Sequence, residues 1–157
     1  MAPARCSPSA VVNASSASGG GSGTTGATAV AIDAGANLPF LRNSGSIKAS
    51  ALAKAGTAAA IVDHSGTLQL VENSGQIEAT GAEAGSGRNI AIDLSSVGAG
   101  AVVRQTVVAS GVTAPAIKGD ILFGGGADRL ELLDGTAEGD VSFGAGIDRL
   151  VLSGAAR

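Results

Sequence analysis

The sequence predicts an all-β chain: a single-chain right-handed parallel β-helix, or β-solenoid, of about five rungs with a disordered N-terminal arm. Three observations lead there. First, residues 31–49, AIDAGANLPFLRNSGSIKA, return thirty residues later as IVDHSGTLQLVENSGQIEA, with no gap needed. Asp33 falls on Asp63, Leu38 on Leu68, Phe40 on Leu70, Asn43-Ser44-Gly45 on Asn73-Ser74-Gly75, and Ile47 on Ile77. A fixed period of this length marks stacked units, not one globular core. Second, apolar residues alternate with polar or small ones inside each copy, which is the strand signature. Third, the chain has twenty-five glycines, three phenylalanines and no tryptophan or tyrosine. A globular core leans on aromatics for buried area; a narrow lumen of Val, Ile, Leu and Ala does not.

Each copy divides into three short strands. Val30 and Ile32 share one face of the first. Leu38 and Phe40 share a face of the second, with Pro39 between them, and Ile47 and Ala49 a face of the third, with Ser46 and Lys48 between. Residues 34–37 and Asn43-Ser44-Gly45 carry turn chemistry between the strands. One copy cannot bury its apolar face alone, so copies must stack, strand on like strand. The charges agree. Arg42 is replaced by Glu72 in the next copy and Lys48 by Glu78. Stacked rungs lie about 4.8 Å apart, which sets each cation beside an anion. Such cross-strand pairs contribute about 0.2–1 kcal/mol, the lower end where exposed. Asn43 over Asn73 predicts an amide ladder at the corner.

In chain order, residues 1–27 have the Ser/Gly/Ala composition of a flexible arm. Residues 28–118 hold the thirty-residue rungs. The third opens with Ile90-Ala91-Ile92-Asp93 and then degenerates; Ala101-Val102-Val103 and Thr106-Val107-Val108 read as strands, and Ser110-Gly111 replaces the Asn-Ser-Gly corner. Residues 119–157 hold compact rungs: GDILFGGGADRL, from Gly119, recurs twenty residues on as GDVSFGAGIDRL, from Gly139. Ile121, Phe123, Leu130 and Leu132 are expected to point inward, with Val141, Phe143, Leu150 and Leu152 above them, and the glycines to serve corners of positive φ.

Several function classes are disfavoured. The net charge is −3 and no basic stripe or stacking aromatics are present, so nucleic acid is not an expected partner. Cys6 is the only cysteine; it reads as a free thiol, and neither an internal disulfide nor a cysteine zinc site can form. Residues 1–12 lack the continuous apolar core of a signal peptide, and no apolar run is long enough for a transmembrane helix.

The candidate chemistry is sparse. Asp33, Asp63 and Asp93 share the thirty-residue register, which predicts a carboxylate column. Its first reading is structural, each side chain accepting backbone N–H groups at its own corner. A shared cation and glycan cleavage are the alternatives, although cleavage needs two carboxylates in different environments. His64, the only histidine, reads as a solvated turn residue; Ser65 beside it lacks a nucleophile elbow. The pieces Gly124–Leu130 and Gly144–Leu150 share Gly-x-Gly-x-Asp-x-Leu with the calcium-binding nonapeptide of RTX proteins. Asp128 and Asp148 are therefore the calcium candidates, but the period is twenty residues, not nine, and Arg129 and Arg149 supply counter-charges. No catalytic residue and no cofactor is assigned.

The Asn-Ser-Gly-x-Ile corners, followed by paired Gly-Asp-[Ile/Val]-x-Phe-Gly-x-Gly-x-Asp-Arg-Leu units, resemble the passenger region of bacterial autotransporters over residues 29–157. The resemblance implies a parallel β-helix carried across the outer membrane by a C-terminal barrel, and hence a non-enzymatic surface or secreted stalk serving adhesion. It implies as partners further β-helix rungs or a translocator barrel, with a host surface or glycan as ligand. An RTX-like calcium module and a glycan-active β-helix enzyme fragment are the alternatives.

Overall fold

The computed structural model describes residues 25–154, together with the backbone of two strands at 5–6 and 11–16. Among these residues there are sixteen strands and no helix. They are β1 (Arg5–Cys6), β2 (Val11–Ser16), β3 (Gly26–Ile32), β4 (Phe40–Asn43), β5 (Ser46–Ala51), β6 (Thr57–Asp63), β7 (Leu70–Asn73), β8 (Gln76–Thr80), β9 (Asn89–Leu94), β10 (Val102–Gln105), β11 (Ala116–Lys118), β12 (Asp120–Phe123), β13 (Arg129–Leu132), β14 (Thr136–Glu138), β15 (Val141–Ser142) and β16 (Arg149–Leu152). Every third strand joins the same sheet. Sheet A runs β1-β4-β7-β10-β13-β16, sheet B β2-β5-β8-β11-β14, and sheet C β3-β6-β9-β12-β15. All pairings are parallel. The chain is a β-solenoid of about four complete turns from β3 onward.

Three aliphatic columns fill the lumen. Sheet A contributes Leu41, Val71, Val103 and Leu130; sheet B contributes Ile47, Ile77 and Ile117; sheet C contributes Ile61, Ile92 and Ile121. All ten are buried and belong to one core cluster. Each buried Leu, Ile or Val contributes about 1.5–3 kcal/mol before chain entropy is charged against it. Ala27, Ala49, Ala51, Ala58, Ala79 and Ala82 form a second buried cluster at the corner between sheets B and C. Phe123 and Phe143 stack face to face, ring centres 5.3 Å apart, as their twenty-residue register requires. Ile121, Phe123, Leu130 and Leu132 are buried as expected. Val141, Leu150 and Leu152 stack on them in register but are exposed, because no described turn covers them.

Three expectations need correction. The alternation breaks at Pro39. Leu41 and Val71 are buried, whereas Phe40 and Leu70, placed inward with Leu38 and Leu68, are only half-buried. Leu68 fills the corner, and the strand restarts after Pro39 with the opposite parity.

The second correction concerns sheet C. Ile32 pairs with Asp63 and Val62 with Asp93, one residue more than the thirty that sheets A and B keep in the first two turns. The corner that follows absorbs the difference, with residues 33–39 in one turn against 64–69 in the next. Asp33, Asp63 and Asp93 are therefore not a column. Asp33 is exposed, Asp93 half-buried, and Asp63 buried above Ile32.

Third, Thr106–Val108 is not a strand and Ser110-Gly111 is not the corner. Gln105, in β10, takes the place of the corner asparagine by pairing with Asn73, and residues 106–115 leave the stack before β11 begins. The insertion lengthens this turn, and a search for Asn-Ser-Gly at constant spacing misses it. Within residues 1–27, β1 and β2 pair in parallel with β4 and β5, and Gly26 and Ala27 open β3. A parallel edge offers unpaired N–H and C=O groups to any extended segment, even a Ser/Ala-rich one. Residues 1–4, 7–10 and 17–24 of that arm lie outside the described residues. Cys6, in β1, pairs through its backbone with Leu41.

Candidate functional site

Polar chemistry in this solenoid collects along four lines: an amide ladder, two charge ladders and a set of corner carboxylates. The amide ladder lies at the corner between sheets A and B. Asn43 Nδ2 donates to Asn73 Oδ1 (2.9 Å), and Asn73 Nδ2 donates to Gln105 Oε1 (3.3 Å). Gln105 Nε2 then donates to the carbonyls of Asp134 (2.7 Å) and Thr136 (3.1 Å). All three amides are fully buried. A side chain that accepts from one rung and donates to the next satisfies itself and two corner backbones, so burial costs little.

The first charge ladder climbs sheet A in the order Arg42, Glu72, Arg104, Glu131. Arg104 lies 3.4 Å from Glu72 and bonds Glu131 through Nε, while Arg129 holds the other oxygen of Glu131. The Glu131 hydrogen bond raises the Arg104 pKa above the ordinary arginine value, against a smaller opposing effect of burial. The second climbs sheet B in the order Lys48, Glu78, Lys118, Glu138. Lys48 pairs with Glu78 at 2.9 Å and Lys118 with Glu138 at 3.4 Å. The sign reversals expected at Arg42/Glu72 and Lys48/Glu78 thus extend through two further rungs that a fixed thirty-residue period cannot align.

The corner carboxylates act on the backbone. Asp63 Oδ1 accepts from Ser65 N (2.8 Å) and Ser65 Oγ (2.6 Å), and Oδ2 from Leu68 N (2.9 Å). Asp93 repeats the bonds to Ser95. His64 is exposed, and the Ser65 hydroxyl is committed to Asp63 and Thr67. The calcium candidates are tied to backbone in the same way. Asp128 Oδ1 accepts from Ala101 N (2.7 Å) on the turn below, and Asp148 Oδ1 accepts from Asp128 N (2.9 Å). Arg129 and Arg149 are paired in register beside them. Among the described residues no group of three or more His, Cys, Asp or Glu side chains is placed to hold a metal ion.

Asp128 is buried, and its Oδ2 has no hydrogen-bond partner. Burial pushes its carboxyl above the ordinary aspartate range, the Ala101 amide pulls the other way, and the charge of Asp148 adds to the rise. A carboxylate raised on folding makes its stability contribution below its unfolded pKa of about 3.9 and loses it as pH rises through the folded value. Stability measured against Asp128→Asn is therefore expected to improve as pH falls from neutral towards about 4. Urea melts of both proteins across that range check this; a difference that stays flat or moves the other way would refute it.

A cleft of about 440 Å³ opens where sheet B turns into sheet C, lined by Thr80, Gly81, Asn89, Lys118, Asp120 and Glu138 among others. It exists because one turn spends residues 81–88 on this corner, while the next spends Gly119 alone. Compared with protein families, curated proteins and solved structures, the chain matches none. Fold and polar layout together define a structural repeat module, a parallel β-solenoid.

Proposed function

We propose that the chain is a non-catalytic stalk segment of a surface-exposed, autotransporter-like protein, with adhesion as its role and further rungs or a translocator barrel as its covalent or assembled neighbours. One observation carries this reading: the side chains of the amide ladder, of Lys48, Glu78, Lys118 and Glu138, and of Glu72, Arg104 and Glu131 bond the turn above or below their own. Such a chain is organised to hold rungs in register along an axis. The test is antibody labelling of the source cells with serum raised against this chain. Labelling of intact cells is the expected result. Labelling that requires permeabilised cells would overturn the surface assignment.

A further inference from the structure

We propose that the outer face of sheet B is a self-association surface on which a second copy of this chain packs with its axis antiparallel to the first. Along that face the charges read plus, minus, plus, minus: Lys48, Glu78, Lys118, Glu138, one per rung. Read from the opposite end, the same column is minus, plus, minus, plus. A two-fold axis between Glu78 and Lys118 therefore sets Lys48 against Glu138 of the second copy and Glu78 against Lys118 of the second copy, four opposite-sign contacts in all. Such an interface is isologous, and every substitution in it counts twice. Both copies share one rung spacing of about 4.8 Å, so all four contacts come into register together. A parallel arrangement in the same register would oppose like charges at every rung.

Sheet B suits this role where sheet A does not. The side chain of Glu131 in sheet A is 6% exposed and already held by two arginines. In sheet B, Lys118 and Glu138 keep 53% and 65% of their side chains exposed while in contact with each other. The remaining outward residues of the four described rungs, Ser46, Ser50, Gln76, Thr80, Ala116 and Thr136, are uncharged, and the inward neighbours Ile47, Ile77 and Ile117 are buried in the lumen. What the face offers a neighbour is a strip of alternating charge, bordered by the cleft beside Lys118 and Glu138 and by the 106–115 insertion, whose Ala114 carbonyl accepts from Gln76 Nε2.

A strip of this size is smaller than a standard stable interface, so the dimer is expected to be weak and salt-sensitive. Sedimentation equilibrium of the whole chain at about 50 mM and about 500 mM salt, where the Debye length falls from roughly 14 Å to roughly 4 Å, is the first test. The dissociation constant is expected to rise by about tenfold or more. Lys48→Glu and Glu138→Lys should each abolish self-association, because each sets like charges against one another at both ends of the strip. Mixed together, the two variants should associate again. The acidic group introduced at position 48 of one copy then faces the basic group introduced at position 138 of the other, and at the far end the unaltered Lys48 and Glu138 still meet. A monomer at all salt concentrations, an association indifferent to salt, or a mixture no better than either variant alone would each overturn the proposal. Should a variant fail to fold, the salt dependence of the unaltered chain still decides.

Discussion

Asn73→Ala is expected to lower the stability of the solenoid by about 3–4 kcal/mol, a large share of the roughly 5–15 kcal/mol margin of an ordinary domain. Asn73 sits at the centre of the amide ladder and is fully buried. Its Oδ1 accepts from Asn43 Nδ2 and from Gly75 N, and its Nδ2 donates to the carbonyls of Gly75 and Ala116 as well as to Gln105. Truncation removes the partners of Gly75 N and Gln105 Oε1, both buried, while Asn43 Nδ2 keeps the carbonyls of Gly45 and Gln76. Each buried unsatisfied group costs about 1–3 kcal/mol, and the void left behind adds a packing loss. Chemical denaturation followed by far-ultraviolet circular dichroism reads the change. A loss below about 1 kcal/mol would show that water or repacking replaces the ladder, and the ladder would lose its place as the pin of the A–B corner.

Gly75→Ala is expected to be at least as damaging, for a different reason. Gly75 does not have positive φ. A β-carbon there would overlap the carbonyl oxygen of Gly45 and crowd the backbone of Ser44 on the rung below. Backbone cannot rotate away as a side chain can, so either the corner opens or the two turns separate. The loss expected is about 3 kcal/mol or more, at the severe end for a single methyl group. Gly98→Ala is the control. Gly98 also lacks positive φ, and nothing lies within 4 Å of a β-carbon there, so its melt should match that of the unaltered chain. Equal melts for all three proteins would mean that the turns do not approach as closely as the structure places them. The glycine in Asn-Ser-Gly thus serves close approach between rungs; positive φ is the requirement elsewhere, as at Gly119 and Gly126.

Much of the architecture is legible in the letters. Residue pairs separated by one fixed period, with apolar identity kept and charge sign reversed, state the stacking order directly. Asn43 over Asn73, Lys48 against Glu78, Ile121 under Val141 and Leu130 under Leu150 are all found as the repeats require. These are comparisons between rungs, and a parallel in-register stack turns each into a contact. Any placement that required counting through a corner had to await the folded chain. Corner length is set by how the lumen is filled, not by the period, so the carboxylates of Asp33, Asp63 and Asp93 fall out of line although their letters align. For the same reason Gln105 joins the asparagine ladder from a position that no constant spacing reaches, and Arg104, Glu131, Lys118 and Glu138 extend ladders of which the repeat shows only the first two rungs. Periodicity and alternation suffice for a parallel β-solenoid and its lumen. Which polar groups meet is settled by the packed corners, because one residue more or less there changes the sequence spacing at which the side chains of the adjoining strand come opposite each other.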